Sequence, residues 1–272
     1  SAGKPPSTWQ TYGVAKSAAH RHKPRMPPPP ATGQRPLGAR EFTLMMAAMM
    51  ACNALAIDIM LPALPDIVRS LPVAHANDRQ YVVAAYMLAT AVGALFYGPL
   101  ADRFGRRPVV IGALTGYALA ALACLFAPSF DMLVALRMVQ GAAAAALPVV
   151  ATSIVRDSYV GNRMARAMSS ILMIFMLVPV IAPNLGQLIL RITNWHGVFL
   201  ILAMAGFGLA LWVSIRLPET LKPGDMVPIR PRVIVQNWFQ VITHRQGALY
   251  SIAGGAIVTG LMGFIVSAQQ IV

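Results

Sequence analysis

Apolar runs of about twenty residues recur along this chain, and they constrain its fold more than any other feature. The runs fall at about 42–64, 81–100, 108–127, 132–154, 167–190 and 197–217, and another opens near 247. A helix rises about 1.5 Å per residue, so a run of this length crosses the roughly 30 Å of hydrocarbon in a bilayer. Only 11% of the residues are charged, whereas soluble domains have about a quarter. We therefore predict an all-α integral membrane protein with six spans, arranged as two inverted three-helix repeats, and a partial seventh helix.

Four segments follow from the distribution of polar and apolar residues. Residues 1–40 are basic and proline-rich without apolar periodicity, and we predict a disordered cytoplasmic tail there. Residues 41–217 hold the six-helix bundle, and residues 218–246 form a cytoplasmic linker. Residues 247–272 are predicted to be the start of a second bundle, so we expect the rest of that bundle in the intact protein.

The basic residues predict which way the bundle faces, because lysine and arginine near span ends favour the cytoplasm. If the tail is cytoplasmic, all of the 22 basic residues lie on that side except Arg69, Arg79, Arg137 and Arg191. The net charge of +13 lies between the apolar runs and not on one charge-rich face, which argues against nucleic-acid binding. We predict a multi-pass protein whose N-terminus is cytoplasmic.

Two charges fall within the apolar runs. Asp58 is near the outer end of the first run, and Arg137 is just over a turn into the fourth, so the two have similar depth. Such charges cost roughly 2.5–3.5 kcal/mol on insertion scales and usually face a cavity or a partner. In an inverted-repeat bundle the first and fourth spans would meet beside a central cavity, where Asp58 and Arg137 could pair. The alternative is that Asp58 anchors a helix end while Arg137 snorkels outward.

The loop after the second run has an ordered spacing of Gly, Asp and Arg. Its glycines suit a tight turn, and Asp102 and Arg106 can pair across one helical turn. The pattern resembles the major facilitator superfamily, whose corresponding loop reads Gly-x-x-x-Asp-Arg-x-Gly-Arg-Arg. In that family the loop latches the two halves together on the cytoplasmic side. The resemblance implies a latch made of Gly98, Asp102, Arg103, Gly105, Arg106 and Arg107.

Two further stretches resemble the drug:proton antiporter branch of that family, nearest to the bicyclomycin- and chloramphenicol-resistance group. The run DIMLPALP that begins at Asp58 is similar to that group's Asp-x-x-Leu-Pro-x-Leu-Pro. The run RMVQG that begins at Arg137 is similar to the family's Arg-x-x-Gln-Gly, whose arginine is implicated in proton transfer. The resemblance implies a role in proton transfer for Arg137, and the position of the two intramembrane charges leads us to predict that Asp58 and Arg137 together couple protons to transport.

The antiporter signature of the fifth span, Gly-x-x-x-Gly-Pro-x-x-Gly-Gly, is only half present. Pro183 and Gly186 fit it, but Val178, Ala182 and Gln187 stand where glycines would be, which leaves the direction of coupling open. Prolines there are expected to bend the helix. Ordinary interhelical packing is the alternative for the polar candidates. The candidates for lining the cavity or bending a helix are Asn53, Tyr86, Gln140, Gly141, Pro183, Asn184 and Gly186.

The sequence has no P-loop, no metal-ligand spacing and no nucleophile with a paired base, so we predict a protein that is not an enzyme and needs no cofactor. The expected partners are the lipid bilayer, a small-molecule substrate and protons. We predict proton-coupled efflux of small, partly apolar compounds across a bacterial inner membrane. Two alternatives stay open: a metabolite transporter of the same fold, and an inactive half-transporter that keeps the bundle without activity.

Overall fold

A computed structural model of the chain describes residues 37–73, 75–221, 224, 236, 243–244, 246–256 and 260. Within these residues the regular structure is entirely helical, and six helical segments are long and apolar enough to cross a membrane. The predicted all-α membrane fold is confirmed. The segments, numbered span 1 to span 6, are Ala39–Ser70, Asn77–Phe104, Arg106–Cys124, Phe130–Ser158, Asn162–Ile192 and Trp195–Arg216.

Three of the spans are divided into shorter helices. In chain order the helices are α1 Ala39–Asp58, α2 Leu64–Ser70, α3 Tyr81–Phe104, α4 Arg106–Cys124, α5 Phe130–Ala144, α6 Ala146–Ser158, α7 Asn162–Phe175, α8 Val178–Ile192 and α9 Trp195–Arg216. Short 3₁₀ helices cover Leu61–Ala63 and Ala76–Gln80. The divisions fall within span 1, span 4 and span 5.

Prolines account for the position of each division. A proline has no N–H to donate to the carbonyl four residues earlier, and its ring crowds that turn. The helices α1, α5 and α7 each end at the residue four before a proline: Asp58 before Pro62, Ala144 before Pro148, and Phe175 before Pro179. Two other prolines, Pro99 and Pro183, lie inside continuous helices. The break in span 5 therefore lies at its first proline, Pro179, while α8 continues through Pro183.

The packing of the spans follows an inverted repeat. Span 1 packs on span 5 as span 4 packs on span 2, and span 1 also contacts span 6 as span 4 contacts span 3. If spans 1, 2 and 3 are exchanged with spans 4, 5 and 6, each packed pair becomes another packed pair of the same bundle. The pair of span 3 and span 6 is unchanged by this exchange. A bundle built from two inverted three-helix repeats has this symmetry.

Burial is distributed unevenly among the spans. The most apolar stretches of span 1 and span 4 are each 56% buried, whereas those of span 2 and span 5 are 22% and 6% buried. The core therefore lies around spans 1, 3, 4 and 6, while spans 2 and 5 leave large apolar faces open.

Ion pairs tie span ends together at one end of the bundle. The Arg216 guanidinium at the end of span 6 donates to both carboxylate oxygens of Glu41 in the first turn of span 1, each at 2.6 Å. The spans joined there are far apart in sequence, so this pair fixes the first helix against the last. We call this end, which also holds the loop between spans 2 and 3, the basic end.

Part of the predicted domain layout lies outside the described residues. This applies to the tail up to Pro36, to most of the linker, and to the second bundle beyond a helical stretch at residues 246–256. The described chain shows that α1 already begins at Ala39, two residues inside the range predicted for the tail.

Candidate transport site

Asp58 lies in the bundle interior at a helix break. It is the last residue of α1 and is 2% exposed. Within the described part of the chain, its carboxylate has no hydrogen bond and no ion pair. Its main-chain carbonyl faces Pro62, which cannot supply the helical donor. The helix end at which Asp58 sits is thus set by the sequence, and its side chain is left without a protein partner.

Among the residues that the structure describes, Arg137 is the most deeply buried charge, with no exposed surface. Its Nε donates to the Val82 carbonyl at 3.2 Å, and its Nη2 donates to the Ala56 carbonyl at 3.0 Å. Its Nη1 donates to Gln140 Oε1 at 2.7 Å. The guanidinium also lies over the Tyr86 ring, 4.3 Å from the ring centroid, which is a cation–π distance. These contacts join spans 1, 2 and 4 through one side chain.

The expected ion pair between Asp58 and Arg137 is absent, because no oxygen of Asp58 comes within 4.0 Å of the Arg137 guanidinium in the described chain. Each of the three guanidinium nitrogens already donates to a backbone carbonyl or to the Gln140 amide, so the buried charge is hydrogen-bonded without a carboxylate. The Ala56 carbonyl nevertheless holds Arg137 two residues along α1 from the acid. The snorkelling alternative is wrong for Arg137, since the side chain is fully buried.

Most of the predicted cavity candidates gather around Arg137. The Tyr86 hydroxyl donates to Asn53 Oδ1 at 2.8 Å, which links span 2 to span 1. Gln140 is fully buried, and its Nε2 has no hydrogen-bond partner among the described residues. A buried donor of this kind is uncommon in proteins and is expected to meet water or a ligand. Asn53, Tyr86 and Gln140 therefore form one polar cluster with Arg137.

Gly141 and Gly186 serve as close-packing positions. A Cβ added to Gly141 would overlap the Tyr86 carbonyl oxygen, so spans 4 and 2 approach too closely for any side chain there. A Cβ at Gly186 would overlap the Ile59 carbonyl oxygen next to the break after Asp58. Small residues allow such backbone contact between membrane helices. Gly141 thus lets spans 4 and 2 pack closely, and Gly186 does the same for spans 5 and 1.

Two span 5 candidates do not join the cluster. Asn184 is exposed, and its side-chain amide donates to the Val180 carbonyl of its own helix at 2.7 Å. Pro183 lies within α8 without dividing it. In the described chain, Gly186 is the candidate of this span that contacts the break in span 1.

The loop between spans 2 and 3 forms a network centred on Arg106. Its Nη1 lies 2.7 Å from Asp102 Oδ1, as the four-residue spacing predicts, and its Nε donates to Asp157 Oδ2 at 3.1 Å. The Arg107 Nη2 donates to the Ser214 carbonyl at 2.5 Å. Arg103 is exposed and has no partner in the described residues. The predicted latch residues therefore join spans 2, 3, 4 and 6 at the basic end.

Gly105 makes the turn between α3 and α4 possible. Its φ of +95° is open to glycine and costly for other residues. Gly98, by contrast, lies within α3, and a Cβ there would meet nothing within 4 Å. Of the two loop glycines, Gly105 alone is required by the backbone geometry in this structure.

Three residues that complete these networks, Glu219, Asp157 and Thr90, are not among those predicted from the sequence. The Glu219 carboxylate accepts from the main-chain N–H of Arg106 at 3.0 Å and from that of Arg107 at 3.1 Å, so it caps the start of α4. Asp157 pairs with Arg106. The Thr90 hydroxyl lies 2.8 Å from the Tyr86 carbonyl oxygen and 3.0 Å from that of Gly141. Asp157 and Glu219 are acids at the ends of spans 4 and 6, close to a basic loop, and this charge pattern was a signal in the sequence for these two residues.

A buried acid at a helix break and a buried arginine, in a bundle of two inverted three-helix repeats, are features of helical membrane transporters. A model described as Major Facilitator Superfamily matches residues 46–271. The chain belongs to the major facilitator superfamily. Its members are transporters and not enzymes.

Curated relatives from bacteria match most of the chain. A bicyclomycin resistance protein homolog of Haemophilus influenzae is 30% identical over 82% of this chain and 56% of its own length. An uncharacterized MFS-type transporter of Bacillus subtilis is 32% identical over 86% of this chain and 58% of its own length. Multidrug resistance protein D of Escherichia coli is 33% identical over 67% of this chain and 46% of its own length. The chain thus spans about half the length of the curated relatives it matches.

A solved structure has the same fold. The human organic anion transporter aligns with a TM-score of 0.59 and 19% sequence identity, over 73% of this chain and 53% of that one. The two proteins therefore share a three-dimensional fold.

Proposed function

We propose that the intact protein is a drug:proton antiporter that exports small, partly apolar compounds, with Asp58 as the residue that takes up the proton. The observation that carries the proposal is the burial of Asp58 at a helix break without a partner in the described chain. An intramembrane acid of this kind is costly and is retained where it serves a proton or substrate path. The bacterial relatives named for bicyclomycin and multidrug resistance favour drug-like substrates.

Arg137 is proposed as the fixed cation of the same site. Its contact with the Ala56 carbonyl places the guanidinium beside the segment that ends in Asp58. A carboxylate in that segment attracts the guanidinium, and protonation removes the attraction, since only the charged form interacts strongly through a low-dielectric interior. The unpaired Gln140 Nε2 adds a donor for substrate. Protonation would thus change the force between span 1 and span 4 without breaking the hydrogen bonds that hold Arg137.

We also propose that a second six-helix bundle packs on the open faces of spans 2 and 5. The chain covers 56% and 58% of two relatives' lengths, which leaves room for such a bundle. Alternating access in this family rocks one bundle against the other around a site between them. The latch at the basic end would then face the second bundle. From the distribution of basic residues we propose that this end lies in the cytoplasm of a bacterial cell.

The test uses membrane vesicles with the intact protein, an imposed pH gradient, and a fluorescent probe of internal pH. Adding a transported drug should move protons in the wild type, and Asp58→Asn should reduce that movement at least tenfold because the side chain can no longer bind a proton. Asp66→Asn is the matched control, since that acid lies in the same span but is partly exposed and paired with Arg69. If Asp58→Asn kept proton-coupled efflux of every compound tested, the proposal would be wrong. A screen of metabolites in the same vesicles distinguishes drug export from metabolite transport.

A further inference from the structure

Two neighbouring crevices lie along the outside of the bundle, one at its basic end and one in the apolar zone. The first, of about 580 Å³, lies between the starts of span 1 and span 5. The second, of about 460 Å³, continues between span 1, span 5 and span 6. Ile174 lines both crevices, so they adjoin at this residue, and we treat them as the two parts of one groove. Neither lining includes Asp58 or Arg137, and the groove is therefore separate from the candidate transport site.

The part of the groove at the basic end of the bundle carries a strong positive charge. Arg40 from span 1 and Arg163 and Arg166 from span 5 all line it. All three side chains belong to exposed residues, and within the described chain none has a hydrogen-bond or ion-pair partner. The nearest acid in sequence, Glu41, is already paired with Arg216. Three positive charges without an acidic partner lie at the same end of the groove, and this arrangement favours an anionic ligand.

The part of the groove farther from the basic end is lined by apolar residues. Its lining consists of Ala, Cys, Leu, Ile, Val, Gly and Trp residues of spans 1, 5 and 6. On α1 the groove extends from Arg40 to Leu55, which is about 22 Å at 1.5 Å per residue. Half of a bilayer's hydrocarbon is about 15 Å thick, and the polar interface adds roughly 5–8 Å on each side. The groove therefore has the length and the polarity profile of one lipid in one leaflet.

We propose that this groove binds an anionic phospholipid, with its phosphate among Arg40, Arg163 and Arg166 and an acyl chain in the apolar part. Basic pockets between spans at the cytoplasmic side are known to suit such headgroups. Two segments of this chain are poor occupants on charge: residues 1–36 contain no Asp or Glu, and residues 222–245 carry Asp225 against four basic residues. A groove lined by arginines would repel both segments.

The test measures binding of cardiolipin and of phosphatidylcholine to the intact, delipidated protein in detergent by native mass spectrometry. We expect a clear preference for cardiolipin. Each arginine near a charged lipid contributes roughly fivefold in affinity, so the triple variant Arg40→Gln, Arg163→Gln and Arg166→Gln should lose about 100-fold. The matched control Arg69→Gln, Arg79→Gln and Arg191→Gln removes the same charge away from the groove and should leave cardiolipin binding nearly unchanged.

A second variant tests the apolar part. A Cβ at Gly208 would meet nothing within 4 Å, so Gly208→Leu should fold and fill the crevice. We expect it to weaken cardiolipin binding severalfold, while soluble glycerol phosphate should not compete in any variant. Equal losses in the two triple variants would overturn the proposal in favour of unspecific charge attraction. Full competition by glycerol phosphate, or no effect of Gly208→Leu, would also overturn it, since a headgroup site alone would remain. If the arginine triple variant does not fold, the single variants Arg163→Gln and Gly208→Leu test the basic and the apolar part of the groove, and unchanged cardiolipin binding in both would overturn the proposal.

Discussion

The cap that Glu219 places on α4 leads to a specific prediction for Glu219→Gln. The carboxylate accepts two main-chain N–H groups at 3.0 and 3.1 Å at the start of that helix. Loss of a helix cap costs about 0.5–2 kcal/mol, and a negative charge at a helix start contributes about 0.3–1 kcal/mol when exposed. Glutamine keeps one acceptor oxygen and loses the charge. Because Glu219 is exposed and screened by water, we expect a net loss of about 1–2 kcal/mol.

Amide hydrogen exchange of the purified protein in detergent measures this effect at the site. A loss of 1–2 kcal/mol corresponds to roughly 5- to 30-fold faster exchange, which should be confined to peptides that cover residues 105–110. The apparent Tm should fall by roughly 2–8 °C. Asp66→Asn is the control, since its partner Arg69 lies on the surface and such pairs are worth little. Unchanged exchange at the start of α4 in Glu219→Gln would refute the view that this carboxylate holds the loop.

Two further substitutions test the packing and the ion pair that hold the spans together. Gly141→Ala should lower the apparent Tm strongly or prevent folding, because its Cβ overlaps a main-chain oxygen of span 2, whereas Gly112→Ala, with open space around it, should raise stability by about 0.5–1 kcal/mol. Size-exclusion profiles of both variants check this, and equal behaviour would contradict the close approach. Glu41→Gln should lower the apparent Tm, since the carboxylate accepts two charge-assisted hydrogen bonds from Arg216. A Glu41→Arg and Arg216→Glu double variant that is no more stable than either single variant in a thermal melt would count against that pair.

The sequence predicted the spans because their signal is local. A run of about twenty apolar residues has one physical solution in a bilayer, and span 6, predicted at 197–217, is observed at Trp195–Arg216. The four-residue spacing of Asp102 and Arg106 was equally local, and the pair is observed. Features that depend on one to four residues along a helix can thus be predicted from the order of the amino acids.

The contacts of Arg137 could not be predicted in the same way. Charge alone suggested Asp58 as its partner, but main-chain carbonyls exist at every residue and leave no mark in a sequence. The guanidinium takes the Val82 and Ala56 carbonyls because the helix packing brings them within reach. The cap from Glu219 to α4 likewise joins residues more than a hundred positions apart. Such contacts depend on the packing of whole spans.

The shallow burial of span 5 has an evolutionary consequence. Only 6% of its most apolar stretch is enclosed by the rest of this bundle, so its exposed side chains can change size without creating a cavity or a clash within these six spans. Ile171, Ala182 and Gly186 are buried and lack this freedom. Any selection that preserves the other side chains must come from the surroundings of the helix, and the pattern of accepted substitutions along it would record what those surroundings are.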